Sequence, residues 1–163
     1  MSESSAGRRR RGSVRAGVCA LLVTALTLSI LTVAEPARPA APGQSAPSQS
    51  AWAGVFNKEQ VERGRTVYNA QCARCHGETL GGGETSPALV DDVFFTFWGG
   101  KTVGDLVEYT RTTMPSDGPG KITRKRCIDI AAYLLSTNGF PDGDTELPTE
   151  LAALNQIAIT RTK

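Results

Sequence analysis

The stretch Gln71-Cys72-Ala73-Arg74-Cys75-His76-Gly77 puts two thiols three residues apart and an imidazole directly against the second. Three chemistries use such groups: a redox dithiol, a zinc site and covalent attachment of haem. A dithiol of the thioredoxin kind expects a βαβ setting, which the flanking sequence does not offer. Zinc has enough donors by count, in Cys72, Cys75, His76 and Cys127, but adjacent Cys75 and His76 would chelate one ion awkwardly, and zinc spacings normally leave a gap. The order C-x-x-C-H is that of c-type haem attachment. Two cysteines on one turn each form a thioether to one edge of the porphyrin, and the next histidine reaches the iron from the same side.

The other axial position follows by counting. His76 is the only histidine in the chain, so two-histidine ligation would need a second molecule. One of the two methionines is the initiator, which leaves Met114, placed directly before Pro115. The expected set is therefore Cys72 and Cys75 as covalent anchors and His76 and Met114 as axial ligands. The alternatives for Met114 are a gap-filling core residue or five-coordinate iron. A methionine ligand raises the reduction potential, which suits a carrier that accepts electrons late and passes them to a strong oxidant.

These groups need elements to hold them. Asn57-Lys58-Glu59-Gln60 reads as a capping box opening a helix, with Val61, Gly64 or Arg65, and Tyr68 on one face, whose last turn delivers Cys72. Residues 77–100 hold the Gly81-Gly82-Gly83 run, Pro87 and the aromatics Phe94, Phe95, Phe97 and Trp98, and are expected to be mostly loop with apolar anchors. Thr102-Val103-Gly104-Asp105 is a second capping signal, followed by a stripe of Val103, Leu106, Tyr109 and Thr110 that ends near Met114. A last helix is predicted over residues 123–137, with Cys127, Ile130, Ala131 and Leu134 inward and Asn138-Gly139 as its stop. No stretch alternates as a strand. The tail, residues 140–163, has Leu147, Leu151, Leu154 and Ile157 to lay against the surface. The predicted class is small and all-α.

The N-terminus reads as a targeting segment. Arg8 to Arg11 and Arg15 precede an apolar run over residues 16–34, followed by small residues and prolines, the layout of a secretory signal over residues 1–34. The alternative is retention of that run as a membrane anchor, and Cys19 is expected to leave with a cleaved signal. Residues 35–53, rich in Ala, Pro and Ser, have little apolar surface to offset their ordering entropy and read as a spacer. The folded domain is expected over residues 54–163. That part holds 12 basic and 14 acidic residues, net −2, so the basic character belongs to the N-terminus and gives no general case for nucleic-acid binding. Export to a compartment where free dithiols oxidise again favours haem over a dithiol.

From Trp52 to about Ile159 the chain resembles the class I monohaem cytochromes c. The likeness rests on the haem motif, Gly64 and Tyr68 before it, Gly82, Gly83 and Pro87-Ala88-Leu89 after it, Trp98, Met114-Pro115 and Ala132-Tyr133-Leu134-Leu135. More narrowly, Asn138-Gly139-Phe140-Pro141 followed by Glu146-Leu147-Pro148 is similar to bacterial periplasmic cytochromes associated with quinoprotein alcohol dehydrogenases and related oxidases. The resemblance implies a small cytochrome c fold, three to five helices around one covalently attached haem c, with an irregular C-terminal extension. It implies that the Pro87 carbonyl accepts from the proximal imidazole, and that Gly64 and Tyr133 mark a tight helix crossing. Trp98 would lie near the haem propionates, or else be a core aromatic. Two features depart from the family pattern. Arg124-Lys125-Arg126 puts positive charge at a helix N-terminus, as a solvated face or a dock for an acidic partner, and Cys127 falls on an apolar stripe. The expected function is periplasmic one-electron transfer without substrate turnover, from a dehydrogenase, for instance a quinoprotein, toward a terminal oxidase or another cytochrome. The rivals are a subunit of a dehydrogenase complex and a haem-based ligand sensor. Membrane contact is expected only if the N-terminal segment is retained.

Overall fold

The computed structural model describes residues 46–163. The expected signal over residues 1–34, Cys19 and the first part of the expected spacer lie outside the described residues. Within them the protein is almost wholly helical, in the order β1 (Gln49–Ser50), a 3-10 turn (Ala51–Ala53), α1 (Lys58–Gln71), α2 (Ala73–His76), α3 (Asp91–Trp98), α4 (Val103–Thr113), α5 (Arg124–Thr137), α6 (Leu151–Leu154) and β2 (Ile157–Ala158). This is the all-α class read from the sequence. None of the described helices is long and apolar enough to cross a membrane.

Three helices begin where local chemistry says they should. The Asn57 side chain accepts from the Gln60 amide at 2.9 Å, Thr123 caps α5, and Thr102 and Asp105 form a full reciprocal box at α4, with N–H to oxygen distances of 3.1 and 2.9 Å. The box expected at α1 is only half made. Gln60 is buried, and its carboxamide oxygen accepts from the Leu147 amide at 2.8 Å instead of reaching back to Asn57. The residue expected to close a local cap therefore fastens the C-terminal extension.

Helices α1 and α5 cross at the centre. Along α1 the buried positions are Gln60, Gly64 and Tyr68, four residues apart, while Val61 is only half-buried. A β-carbon on Gly64 would collide with the Asp129 carbonyl and meet the Tyr133 β-carbon, so only a hydrogen lets the two backbones approach. Helix α5 is buried on most of its circumference from Cys127 to Leu135. On α4 the buried set is Val103, Leu106, Val107 and Thr110, so the stripe turns past the expected Tyr109, which is 49% exposed.

Two expectations are corrected. Residues 77–90 are loop as expected, but the reading of 77–100 missed α3, which occupies Asp91–Trp98. Its N-cap, Val90, has no capping side chain, and the Asp91 amide donates instead to Asn138 Oδ1 at 3.0 Å. The signal that starts this helix lies at the end of α5, 47 residues away. The last residues of the stretch read as a spacer also belong to the fold. Gln49–Ser50 pairs in parallel with Ile157–Ala158, a short strand pair where none was expected. Ala51 is fully buried. Trp52 stacks on Phe140 with ring centroids 4.4 Å apart, and its indole N–H donates to the Thr160 carbonyl at 2.9 Å. The extension itself goes deeper than a surface lay: Leu147, Leu154, Ile157 and Ile159 are all buried.

Candidate haem site

The two cysteines and the histidine sit on one helical turn. Helix α1 ends as the Cys72 amide donates to the Tyr68 carbonyl at 2.8 Å. The Cys75 and His76 amides then donate to the Cys72 carbonyl at 3.1 and 3.0 Å, which makes α2 a single tight turn. Residues at i, i+3 and i+4 share a helix face, so this turn gathers both thiols and the imidazole on one side. Tyr68, buried in the core, locks the exit of the turn by donating its hydroxyl to the Gly77 carbonyl at 2.8 Å. Burial holds the Tyr68 phenol above its ordinary pKa.

His76 is buried, and its Nδ1 lies 2.9 Å from the Pro87 carbonyl oxygen. A carbonyl can only accept, so Nδ1 carries the proton and Nε2 keeps a free lone pair. The loop that presents Pro87 is folded back by Gly82, whose amide donates to the His76 carbonyl at 2.8 Å. Gly82 has φ +83, and a β-carbon there would lie 2.7 Å from the Ala88 nitrogen and 2.9 Å from the Pro87 carbonyl carbon. Part of the expected Gly81-Gly82-Gly83 signal is thus explained by close packing of this loop beneath the imidazole.

These groups open on a cavity of about 480 Å³ whose wall includes Cys72, Cys75, His76, Pro87, Trp98 and Met114. Met114 caps the C-terminus of α4, with its amide donating to Thr110 at 3.1 Å. Phe94 from α3, Leu106 from α4, and Ile130 and Leu134 from α5 supply apolar wall. All six residues singled out in the sequence therefore line one cavity.

Residues 59–134 match the family model described as cytochrome c oxidase, cbb3-type, subunit III. The match supports a c-type cytochrome domain over these residues. The chain is also similar to the cbb3-type cytochrome c oxidase subunit CcoP of Azospirillum sp. (strain B510), 35% identical over 91 residues, covering 47% of this chain and 30% of the relative. The match thus spans less than a third of that curated relative. Among solved structures, the sulfane dehydrogenase SoxCD from Paracoccus pantotrophus aligns with a TM-score of 0.47 and 22% identity, over 66% of this chain and 61% of that one.

The cofactor of the cytochrome domain is haem c, covalently attached. The cavity fits it by the chemistry of its donors. Its volume lies in the range of cofactor pockets, its wall is largely apolar, one imidazole nitrogen is available with the other satisfied, and a thioether and two thiols share the space. The competing chemistries find less support. Burial, more than the neighbouring Cys127 and Cys75, pushes the Cys72 thiol up to about 11, whereas a redox dithiol needs a lowered value. The four-donor zinc set is not assembled: among the described residues no three His, Cys, Asp or Glu groups converge on an ion position, and the fully buried Cys127 thiol faces the Ile122 carbonyl at 3.8 Å.

Sequence reasoning missed part of the cavity rim. Tyr109 packs edge-on against Trp98 at 5.4 Å, and the Lys101 ammonium sits 5.2 Å over the Trp98 ring. The signal for Lys101 was present in Trp98-Gly99-Gly100-Lys101, a tight turn that returns a cation to the aromatic before the α4 cap. The basic cluster at residues 124–126 lies apart from the cavity wall. Arg124 pairs with Glu108 at 3.1 Å and Lys125 with Asp129 at 3.4 Å, so two of its three charges are engaged with carboxylates of this chain.

Proposed function

We propose that the protein is an exported one-electron carrier that works in the periplasm, receiving electrons from a dehydrogenase and passing them toward a terminal oxidase or another cytochrome. The observation that carries this reading is one cavity lined by both cysteines, a histidine already oriented through Pro87, and the single methionine of residues 2–163. Bound there, haem c supplies one-electron chemistry by cycling its iron between Fe(II) and Fe(III).

In this reading Cys72 and Cys75 would anchor the group covalently, and His76 Nε2 and the Met114 sulfur would hold its iron. The Pro87 carbonyl holds the imidazole in one tautomer and raises its basicity. Phe94, Leu106, Ile130 and Leu134 keep water from the iron, while Lys101 beside Trp98 offers a cation to the carboxylates that a haem bears. No general base or substrate site is invoked. The C-terminal sequence resemblance supports a quinoprotein dehydrogenase as donor.

The test is production of the full chain in a bacterium that attaches haem c. Wild type should keep its haem through denaturation, Cys72→Ala with Cys75→Ala should not, and Met114→Ala should keep covalent haem but lose the low-spin spectrum and drop in potential. An unchanged Met114→Ala spectrum would remove Met114 from the iron. A second reading, a cytochrome subunit of an oxidoreductase complex, is supported by the likeness to an oxidase subunit. It predicts that the protein elutes from gel filtration of native membranes or extract within a larger assembly, whereas the carrier elutes alone.

A further inference from the structure

Arg74 lies between the two cysteines on the turn that carries His76, and it is ion-paired with Asp117, three residues beyond Met114. The two side chains come from opposite segments of the cavity: Arg74, Pro115 and Ser116 all line it. Among the described residues, the backbone hydrogen bonds of the loop over residues 115–121 tie it to itself and to α4. Its backbone bonds run from Gly118 to Pro115 at 2.9 Å, from Lys121 to Gly118 at 3.4 Å and from Gly120 to Arg111 at 3.1 Å. Among the described residues, the Arg74–Asp117 pair is the polar link that joins this loop to the cysteine-histidine turn.

We propose that the Arg74–Asp117 pair is a latch between the segments bearing the two axial ligands, and that it sets how readily Met114 gives way to another ligand. The inference rests on the reading that His76 and Met114 both bind the iron. Where Met114 leaves together with its loop, that movement separates the pair, so the latch opposes it. Both side chains are more than half exposed, at 61% and 58%, so the latch is weak and is screened by salt. A weak latch suits a ligand that must stay through each redox cycle yet remain displaceable. Lys121 also acts on the Asp117 carboxylate, so removing the carboxylate is the sharper perturbation. Both residues act through Met114 and are positioning residues.

The experiment titrates the ferric holoprotein with imidazole and follows the visible spectrum at low and high salt. Asp117→Asn and Arg74→Gln should bind imidazole about two- to fivefold more tightly than wild type at low salt. Asp117→Glu should stay close to wild type, and wild type should approach the variants as salt rises. Glu62→Gln, which breaks the remote Arg65–Glu62 pair, should leave the affinity unchanged. The latch is overturned if Met114→Ala binds imidazole more tightly while Asp117→Asn does not, or if Glu62→Gln has as large an effect as Asp117→Asn. If Met114→Ala itself matches wild type, the ligation reading beneath the proposal fails instead.

Discussion

Gly82 and Glu108 illustrate how single residues act on the site, one by what it lacks and one by charge. Gly82 holds φ +83 with Ser86, Pro87 and Ala88 packed against its bare α-carbon. Gly82→Ala should strain the turn, lower stability by about 1–3 kcal/mol and shift the haem spectrum, because Pro87 moves with the loop that it displaces. A variant with lower stability but an unaltered spectrum would sever that link. Glu108 is held below its ordinary value of 4.5, mainly by its hydrogen bond from Arg111 and further by Arg124. A carboxylate with a depressed folded pKa contributes stability that is present above 4.5 and lost as pH falls through the lower folded value. Glu108→Gln should therefore melt about 1–4 °C below wild type at neutral pH and converge with it in acid. Thermal melts of both proteins across that range test it, and a difference that persists in acid would assign the effect to packing. The four donor residues of the cavity, Cys72, Cys75, His76 and Met114, were the most legible part of the sequence, because a motif and two counts single them out: one histidine and one methionine after the initiator.

Among the elements, legibility followed the range of the interactions that start each helix. Helices α1, α4 and α5 are opened by Asn57, Thr102 and Thr123, each within three residues of the amide it serves, so their starts could be read locally. Helix α3 could not, because Asn138 caps it from the far end of α5. The same carboxamide donates to the Leu89 carbonyl at 2.9 Å and to the Leu134 carbonyl at 2.8 Å, so one side chain closes α5 and opens α3. Tyr109 was misplaced for a related reason, since spacing alone does not tell which edge of a stripe meets the core. Asn138→Ala should cost about 1–2 kcal/mol, from a lost cap and the Leu89 carbonyl left short of a donor. The loss should be local: amides of α3 should exchange faster while those of α4 stay protected. Equal acceleration in both helices would mean that Asn138 supports the whole domain rather than the α3 junction. Phe94 and Trp98, which α3 contributes to the cavity, make the haem spectrum a second reporter of that loosening.

At the scale of the whole described chain, the two ends are held by each other, over separations that no local pattern reveals. The Trp52 indole reaches a carbonyl 108 residues away, and the short strand pair joins Gln49–Ser50 to Ile157–Ala158. A composition of Ala, Pro and Ser does not order by itself; what orders Gln49 to Ala53 is a surface supplied by the other terminus. The junction also touches the haem cavity, because the Ile159 amide donates to the Lys101 carbonyl at 2.8 Å and Ile159 in turn accepts from Gly100 at 2.8 Å. Holding Lys101 over Trp98 therefore depends on the last residues of the chain as well as on α3. If the ends form one cooperative unit, Trp52→Ala and Ile159→Ala should each destabilise by about 2–4 kcal/mol, and the double variant by at least about 1 kcal/mol less than their sum, since the first loss already frees the strand pair that the second removes. Urea unfolding of the four proteins measures the coupling. Strict additivity would mean that each end packs on the helices independently, and that the strand pair is a consequence of the fold rather than a clasp for it.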